Sequence, residues 1–356
     1  MPRTENDIAI VGFAQSPLLR RSENTETEMM LSTVQGAIKA ANLTKGDIGF
    51  TVSGSCDYLS GRGFSFVANV DAYGAYPPIN ESHVEMDGSF AMYEAFVRLL
   101  QGDIDTAVAA GVGKTSNSDP STLYTIEMDP YFLTPLGADP WSLAALQYRA
   151  LLDSGKATER DVAEVVARNR AAAKDNLNAQ VSGDFDVDEL LAAPYVRNPL
   201  RRHDLPPITD GCAAVVLARG QKAYELCERP VWITGIDHRV EPHLPTMRAD
   251  LTSSVSTRLA AEGAGAGNGP IEVAEVYAPF SFQELIVSEA LGLGADTVVN
   301  PSGGALAANP VMVTGLLRVI EAAKQIVENG KSRTLAHTTS GPCLQQNLVC
   351  ILEGDQ

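Results

Sequence analysis

NPSGGALAANPVMVTG, residues 300–315, is the segment from which the rest of the chain can be arranged. Gly303 and Gly304 give the backbone freedom to turn, and Pro310 is a residue type that favours the first turn of a helix. Apolar residues then recur with helical spacing up to Val327, which predicts a helix buried on one face. A glycine-rich loop that leads into a helix offers N–H groups to an anion, so Gly303 and Gly304 are candidate binding residues. An ordinary strand-to-helix connection fits the same pattern.

The length and composition of the chain limit the classes of protein to which it can belong. The chain has 356 residues, 45% of them hydrophobic, so we expect a globular protein of two covalently joined halves. No apolar run approaches about 18 residues and no signal-peptide pattern is present, which predicts a cytoplasmic protein without a membrane span. The five cysteines include no CxxC pair, so neither a disulfide scaffold nor a metal site is expected.

The net charge of −17 makes nucleic acid a poor partner. An anionic ligand such as coenzyme A (CoA) is still possible if cationic groups are placed locally. The densest basic cluster contains Arg201 and Arg202, which are candidates either for CoA phosphates or for a solvated surface.

Strand-like and helix-like segments alternate along the chain, which predicts an α/β fold with parallel pairing. Residues 117–207 differ, because prolines at 120, 130, 135 and 140 break the first part into loops before two helical patterns follow. We therefore divide the chain into residues 1–220, with an insertion at about 117–207, and residues 221–356. The insertion either lines a ligand pocket or forms a dimerisation layer.

Four segments resemble the thiolase superfamily in sequence and in order. They are MDGSFAMYEAFVRLLQGDIDTAVAAG, ITDGCAAVVLA, AEVYAPFSFQELIVSEALGLG and NPSGGALAANP. The resemblance covers nearly the whole chain and implies a five-layered αβαβα architecture with two duplicated halves, an inserted loop domain and a homodimer. QGDIDTAVAAG and ENGKSRTLAHTTSG, one in each half, echo one another in pattern and agree with the duplication.

The residues that carry thiolase chemistry are replaced. The resemblance places Glu85 where a thiolase has its nucleophilic cysteine, and Asn309 where it has a histidine. His337-Thr-Thr-Ser-Gly341 replaces the second cysteine, and Tyr277-Ala-Pro-Phe280 replaces Asn-Glu-Ala-Phe. Without a cysteine nucleophile no acyl-thioester intermediate can form, so we expect thiolysis and Claisen condensation to be absent. A thiolase with its cysteine chemistry moved to Cys343 is an unfavoured alternative.

Within the superfamily the chain most resembles the actinobacterial lipid-transfer-protein group of thiolase-like steroid aldolases. ESHVEMDGSFAMYEA, LRRHDLPPITDG and NPSGGALAANP are similar to its branch for C24-branched sterol side chains. This implies retro-aldol cleavage of a steroid β-hydroxyacyl-CoA, with CoA as part of the substrate and no separate cofactor. It also implies a small companion protein with a zinc ribbon and an OB-fold. A catalytically silent subunit that binds acyl-CoA or acts as a scaffold fits the lost cysteines as well.

A retro-aldol cleavage needs a base for the β-hydroxyl, a group that stabilises the thioester enolate, and a proton donor. Tyr277, at a strand end, is the candidate acid/base. Glu85 is a candidate base or helix cap, and Asp87 has the same two interpretations with capping favoured. His337 is a candidate base or a structural residue. Asn309 keeps a donor and an acceptor with which to hold a thioester oxygen.

Overall fold

A computed structural model describes residues 3–355. The strands are β1 Ile8–Gln15, β2 Phe50–Gly54, β3 Glu81–Val84, β4 Thr106–Lys114, β5 Tyr195–Arg197, β6 Leu200–Arg201, β7 Ile208–Arg219, β8 Val231–Val240, β9 Val273–Val276, β10 Val298–Val299, β11 Asn309–Pro310, β12 Arg333–Ser340 and β13 Gln346–Glu353. The helices are α1 Glu26–Ala40, α2 Asp57–Ser60, α3 Phe66–Tyr73, α4 Gly88–Leu100, α5 Pro120–Glu127, α6 Pro140–Asp153, α7 Glu159–Ala172, α8 Val187–Ala192, α9 Gly220–Leu226, α10 Val255–Gly263, α11 Gln283–Leu291, α12 Gly304–Ala307 and α13 Thr314–Val327.

Two half-sheets have the same connectivity. The strand order is β3-β2-β4-β7-β1 in the first and β10-β9-β12-β13-β8 in the second. In each, the first three strands pair in parallel and the remaining pairs are antiparallel. The half-sheets join where β1 pairs with β8. Helix α4 leads to β4 as α13 leads to β12, so the duplication that the resemblance implies is confirmed.

Alternation of side chains along the strands produces five layers. On β7, Val215 and Leu217 face a central core that contains α4 and α13, whereas Val216 faces α1 and α9. On β13, Cys350 faces the same central core, whereas Val349 faces α10 and α11. Because both faces of each half-sheet are covered, its strands are apolar almost throughout. The predicted αβαβα fold is confirmed.

Both central helices begin at one carboxylate. Asp87 is the N-cap of α4, and its Oδ1 accepts a hydrogen bond from the N–H of Ser89 at 2.9 Å. The same side chain accepts from Gly315 at 2.9 Å and from Leu316 at 3.0 Å in the first turn of α13. The residue before α13, Val313, supplies no side-chain cap of its own. Glycine is needed at 315 because a Cβ would lie 2.6 Å from Asp87 Oδ1.

One local expectation is corrected by pairing between segments. The helix after the glycine-rich loop begins at Thr314 and not near Pro310, because Pro310 pairs with Thr209 as part of β11.

Two of the four prolines of the inserted region start α-helices, whereas Pro130 and Pro135 lie in the irregular stretch between α5 and α6, as expected. Pro120 and Pro140 are the first residues of α5 and α6, and the side chains of Asp119 and Asp139 cap these helices. Proline suits this position because the first N–H of a helix has no intrahelical partner. None of the helices found in residues 3–355 has the length and apolar character needed to cross a membrane.

We predict that Asp87→Asn lowers the free energy of unfolding by about 2 kcal/mol, because an amide has one acceptor oxygen where two helices require three hydrogen bonds. Asp186→Asn is the matched control. Asp186 caps only α8, through Oδ1 alone, to Asp188 and Glu189, so asparagine should replace it at little cost. Urea unfolding of both variants checks the prediction, and an equal loss in the two would contradict the shared cap.

Candidate active site

A cavity of about 630 Å³ lies between the central helices and the inserted region. Its floor consists of Asp87, Tyr277 and Asn309, which lie at the start of α4, the end of β9 and in β11. Residues of α5 and α6 also line the cavity. The apolar residues of the wall include Met128, Trp141, Ala144, Leu205, Phe280 and Leu344. The predicted interpretation of the insertion as a pocket lining agrees with this placement.

Tyr277 is the phenol of the floor. It follows β9 directly, is 7% exposed, and has Thr314 and Asn309 as polar neighbours that lower its pKa. Burial raises the pKa of Tyr277 and the neighbouring Asp87 raises it further, while Thr314, Arg318 and Asn309 act in the opposite direction. The phenol is therefore a neutral hydrogen-bond donor at physiological pH, suited to act as an acid.

The carboxylate of Asp87 is used to cap the two central helices, α4 and α13. Burial raises its pKa, and the N–H groups of Ser89, Gly315 and Leu316 oppose this shift. Since these three hydrogen bonds occupy both oxygens, Asp87 acts on Tyr277 mainly through its charge.

Asn309 lies beside Tyr277 and is fixed by two hydroxyls. Its backbone N–H donates to Thr209 Oγ1 at 3.1 Å, and its Oδ1 accepts from Thr314 Oγ1 at 3.0 Å. A side-chain amide held in this way can present its remaining groups to a ligand oxygen without further ordering.

Of the five cysteines, Cys343 lines the cavity. Burial raises the pKa of its thiol to about 11, although Arg248 lowers it in part. The Sγ atom lies 3.6 Å from the carbonyl oxygen of Leu143 and is placed to donate to it. A protonated thiol is a poor nucleophile, so this geometry does not favour cysteine chemistry moved to Cys343.

Glu85 lies outside the cavity, although Asp87, only two residues further on, lines it. The Glu85 side chain is 49% exposed. One of its oxygens accepts from the N–H of Asp57 at 2.5 Å, and the other lies 3.4 Å from His83 Nε2. The structure therefore brings Asp87, and not Glu85, to the floor.

His337 faces away from Tyr277. In the parallel pairing of β12 with β9, His337 is opposite Val276, and both side chains point towards the outer core with α10 and α11. The next residue, Thr338, points towards α13 on the other face, as Tyr277 does. His337 instead bonds Asn347 Oδ1 through Nε2 at 3.0 Å and is fully buried, so the structural alternative is the one the geometry favours.

The glycine-rich loop also lies outside the cavity. Gly303 donates its N–H to the carbonyl oxygen of Asn300 at 2.9 Å, and Gly304 donates to Ser302 Oγ at 3.3 Å. Both glycines have positive φ and are needed for the turn. Their N–H groups are thus used within the loop and are not offered to an anion.

The two candidate arginines have different environments. Arg201 is 6% exposed, bonds Glu159 at 2.5 Å and donates to the carbonyl oxygen of Ala193 at 3.0 Å, which commits it to the inserted region. Arg202 is exposed and lines the cavity, as does Arg197. Positive charge at the cavity therefore comes from Arg202 and Arg197.

Two polar residues on α5 line the cavity and had no counterpart in the sequence analysis. Tyr124 has a buried hydroxyl with no hydrogen-bond partner among residues 3–355, and Glu127 accepts from Cys56 Sγ at 3.2 Å. Asp119 followed by Pro120 is a strong helix start, and it would have indicated a helix with residues 124 and 127 on one face.

No family model matches the chain. The acetyl-CoA acetyltransferase of Methanothermobacter thermautotrophicus is 26% identical over 349 residues, which cover 90% of this chain and 91% of that protein. The 17-hydroxy-3-oxo-4-pregnene-20-carboxyl-CoA lyase of Mycobacterium tuberculosis is 23% identical over 303 residues, covering 80% and 78%. Among solved structures, the Ltp2-ChsH2(DUF35) aldolase superposes with a TM-score of 0.83 and 18% identity, covering 99% of this chain and 98% of that one.

These similarities place the chain among proteins with the thiolase-like fold, the class that its layers and strand order define. Its similar proteins include both a thiolase and a steroid acyl-CoA lyase. The supported resemblance is to the thiolase-like superfamily as a whole, and the branch for C24-branched sterols stays a prediction.

We predict that His337 makes stability depend on pH. Burial lowers the pKa of His337 from 6.5 to about 4, so the unfolded state binds a proton in this range and the folded state does not. Stability is therefore fully present above pH 6.5 and is lost as the pH falls towards about 4. The free energy of unfolding should fall by about 3 kcal/mol, because each unit of pKa difference corresponds to about 1.4 kcal/mol.

The measurement is the free energy of unfolding across this pH range for the wild-type protein and for His337→Gln. Glutamine can keep the hydrogen bond to Asn347 but cannot titrate, so the variant should have the flatter profile. Equal slopes for the two proteins would show that His337 is not the titrating group.

Proposed function

We propose that the protein is a carbon–carbon lyase that cleaves a β-hydroxyacyl-CoA by a retro-aldol reaction. The products are a ketone or aldehyde and a shortened acyl-CoA. The observation that carries this proposal is the composition of the cavity floor, where a neutral phenol and a fixed amide, Tyr277 and Asn309, lie beside the start of a central helix. The cavity's Cys343 is a protonated thiol, so the groups present are those of acid–base chemistry and not of acyl transfer.

Each floor residue has a part in this reaction. When the bond between the α and β carbons breaks, its electron pair passes into the thioester, and Asn309 can hold the thioester oxygen as negative charge develops. Tyr277 then donates its proton to the α carbon. Asp87, which raises the pKa of Tyr277, keeps the phenol protonated until that step. No covalent enzyme intermediate is needed.

The cavity suits a large apolar acyl group joined to an anionic carrier. Its walls carry aromatic and aliphatic side chains such as Trp141, Phe280 and Leu205, and its volume of about 630 Å³ matches the size of pockets for drug-sized ligands. We propose a steroid side-chain acyl-CoA as the substrate, with a C24-branched side chain as the finer prediction. Arg202 and Arg197 are placed to meet CoA phosphates. The similarity to a steroid acyl-CoA lyase supports this substrate class.

We further propose that the protein acts together with a small companion protein that has a zinc ribbon and an OB-fold. The structural similarity to the Ltp2-ChsH2(DUF35) aldolase, named for two components, supports this partner. The homodimer stays a prediction from the resemblance.

We predict that Tyr277→Phe lowers the rate of cleavage by about 10²- to 10⁴-fold, because it removes the proton donor and keeps the ring. The purified protein, with and without its companion, is incubated with a steroid β-hydroxyacyl-CoA that carries a tertiary hydroxyl. Mass spectrometry then measures the ketone and the shortened acyl-CoA.

Cys343→Ser is the matched control, since it alters a polar residue of the same cavity that has no part in the proposed reaction. It should cleave as the wild-type protein does. Loss of activity in Cys343→Ser, with an acyl group trapped on Cys343 in the wild type, would favour a thiolase instead. Binding without turnover in every protein would favour a silent acyl-CoA-binding or scaffold subunit.

A further inference from the structure

The proposed reaction requires a base, and the floor does not contain a free one. Tyr277 is a neutral phenol, and the oxygens of Asp87 are occupied by three N–H groups. Two other carboxylates line the cavity within residues 3–355. Asp119 caps α5, and its Oδ2 accepts from both the N–H and the hydroxyl of Thr122, at 3.1 and 2.6 Å. This leaves Glu127.

Glu127 is the last residue of α5 and lines the cavity. Its Oε1 accepts from the thiol of Cys56 at 3.2 Å, and its Oε2 has no hydrogen-bond partner in the described chain. Burial and the adjacent Glu127 raise the pKa of Cys56, so the thiol keeps its proton and stays a donor to the carboxylate. One oxygen of Glu127 is thereby oriented, and the other is available to a ligand.

Tyr124 lies one turn earlier on the same helix. Its hydroxyl is buried without a partner, and a buried polar group in this state costs about 1–3 kcal/mol. Tyr124 is close to both Tyr277 and Glu127, since both contribute to its raised pKa after the larger effect of burial. A ligand oxygen between the floor and α5 would supply the missing hydrogen bond.

We propose that Glu127 is the general base of this reaction, with Tyr124 holding the β-oxygen of the substrate while Glu127 removes its proton. This inference rests on the proposed retro-aldol function and names the group that starts it. It assigns catalysis to two parts of the chain that line the same cavity, the base on the insertion and the acid on the duplicated core.

The steps balance. Oε2 of Glu127 takes the proton of the β-hydroxyl, and the electron pair of that O–H bond forms the carbonyl bond of the ketone. The bond between the α and β carbons breaks, and its electron pair forms the thioester enolate. Tyr277 donates a proton to the α carbon. Glu127 has then gained one proton and Tyr277 has lost one, and transfer of a proton from Glu127 to Tyr277 after product release restores both.

The surroundings of Glu127 raise its pKa above the ordinary value of a glutamate, which makes it a stronger base. Burial raises the pKa of Glu127, the hydrogen bond from Cys56 lowers it, and the negative charge of Glu85 raises it. Tyr124 lies on the same helix as Glu127, and Cys56 is the N-cap residue of α2. The pKa of each is raised, so both groups are neutral and add no negative charge beside Glu127. The acidic limb of the pH profile of kcat/KM should therefore report Glu127.

The test measures cleavage of the same β-hydroxyacyl-CoA across about pH 5 to 9. Glu127→Gln should lower kcat/KM by about 10²- to 10⁴-fold, because glutamine cannot accept the proton. Substrate binding and urea unfolding of this variant should stay as in the wild type, which separates a lost base from a lost fold or a lost contact.

Glu85→Gln is the matched control and carries a second readout. Glu85 lies outside the cavity, so its variant should keep the plateau rate. Because the variant loses a negative charge near Glu127, its acidic limb should move to lower pH. A structural role for Glu127 would not produce that shift.

The outcomes separate the two proposals. Wild-type cleavage with an equally active Glu127→Gln, or with an acidic limb that Glu85→Gln leaves in place, overturns the role of Glu127 alone. Binding without cleavage by the wild-type protein overturns the retro-aldol function, and the base with it.

Discussion

The shared cap at Asp87 is the constraint on which the rest of the structure depends. Two buried helices, one from each duplicated half, bring their positive ends to one point, and a single carboxylate serves both. The close approach excludes a side chain at Gly315. The same charge lies near Tyr277 and raises the pKa of that phenol. One interaction thus joins the two halves and, after the larger effect of burial, helps to keep the phenol of Tyr277 protonated.

The inserted region supplies polar groups that the duplicated core does not bring to the cavity. The floor supplies a phenol and an amide, but its carboxylate is fully bonded. Helix α5 brings Tyr124 and Glu127 to the same cavity, and this helix begins where Asp119 caps it ahead of Pro120. The proposed acid, Tyr277, therefore lies on the duplicated core, and the proposed base, Glu127, lies on the insertion, which is not repeated.

Much of this fold could be predicted from the sequence, because strands buried on both faces and amphipathic helices leave clear apolar patterns. Tyr277 could be placed because an apolar strand pattern ends just before it, and Asn309 was placed by the resemblance. His337 could not, since its role depends on which of two faces a strand residue points to, and its direct neighbour Thr338 points to the other face. Glu85 and Asp87 pose the same difficulty across a turn, where a single residue lies between an exposed side chain and a buried cap.

The helix α5 shows a different limit. Its proline, Pro120, predicts a break if it is taken as an interior residue and a helix if it is taken as a first residue, and only Asp119 before it decides between the two. The roles of Tyr124 and Glu127 cannot be read from local sequence, because the unpartnered hydroxyl and the free carboxylate oxygen exist only where α5 comes close to Tyr277 and Cys56 in space. A site assembled from a core and an insertion is recognised by the polar groups that remain unbonded once the fold is complete, and in this cavity the core contributes the amide of Asn309 and the insertion contributes Tyr124 and Glu127.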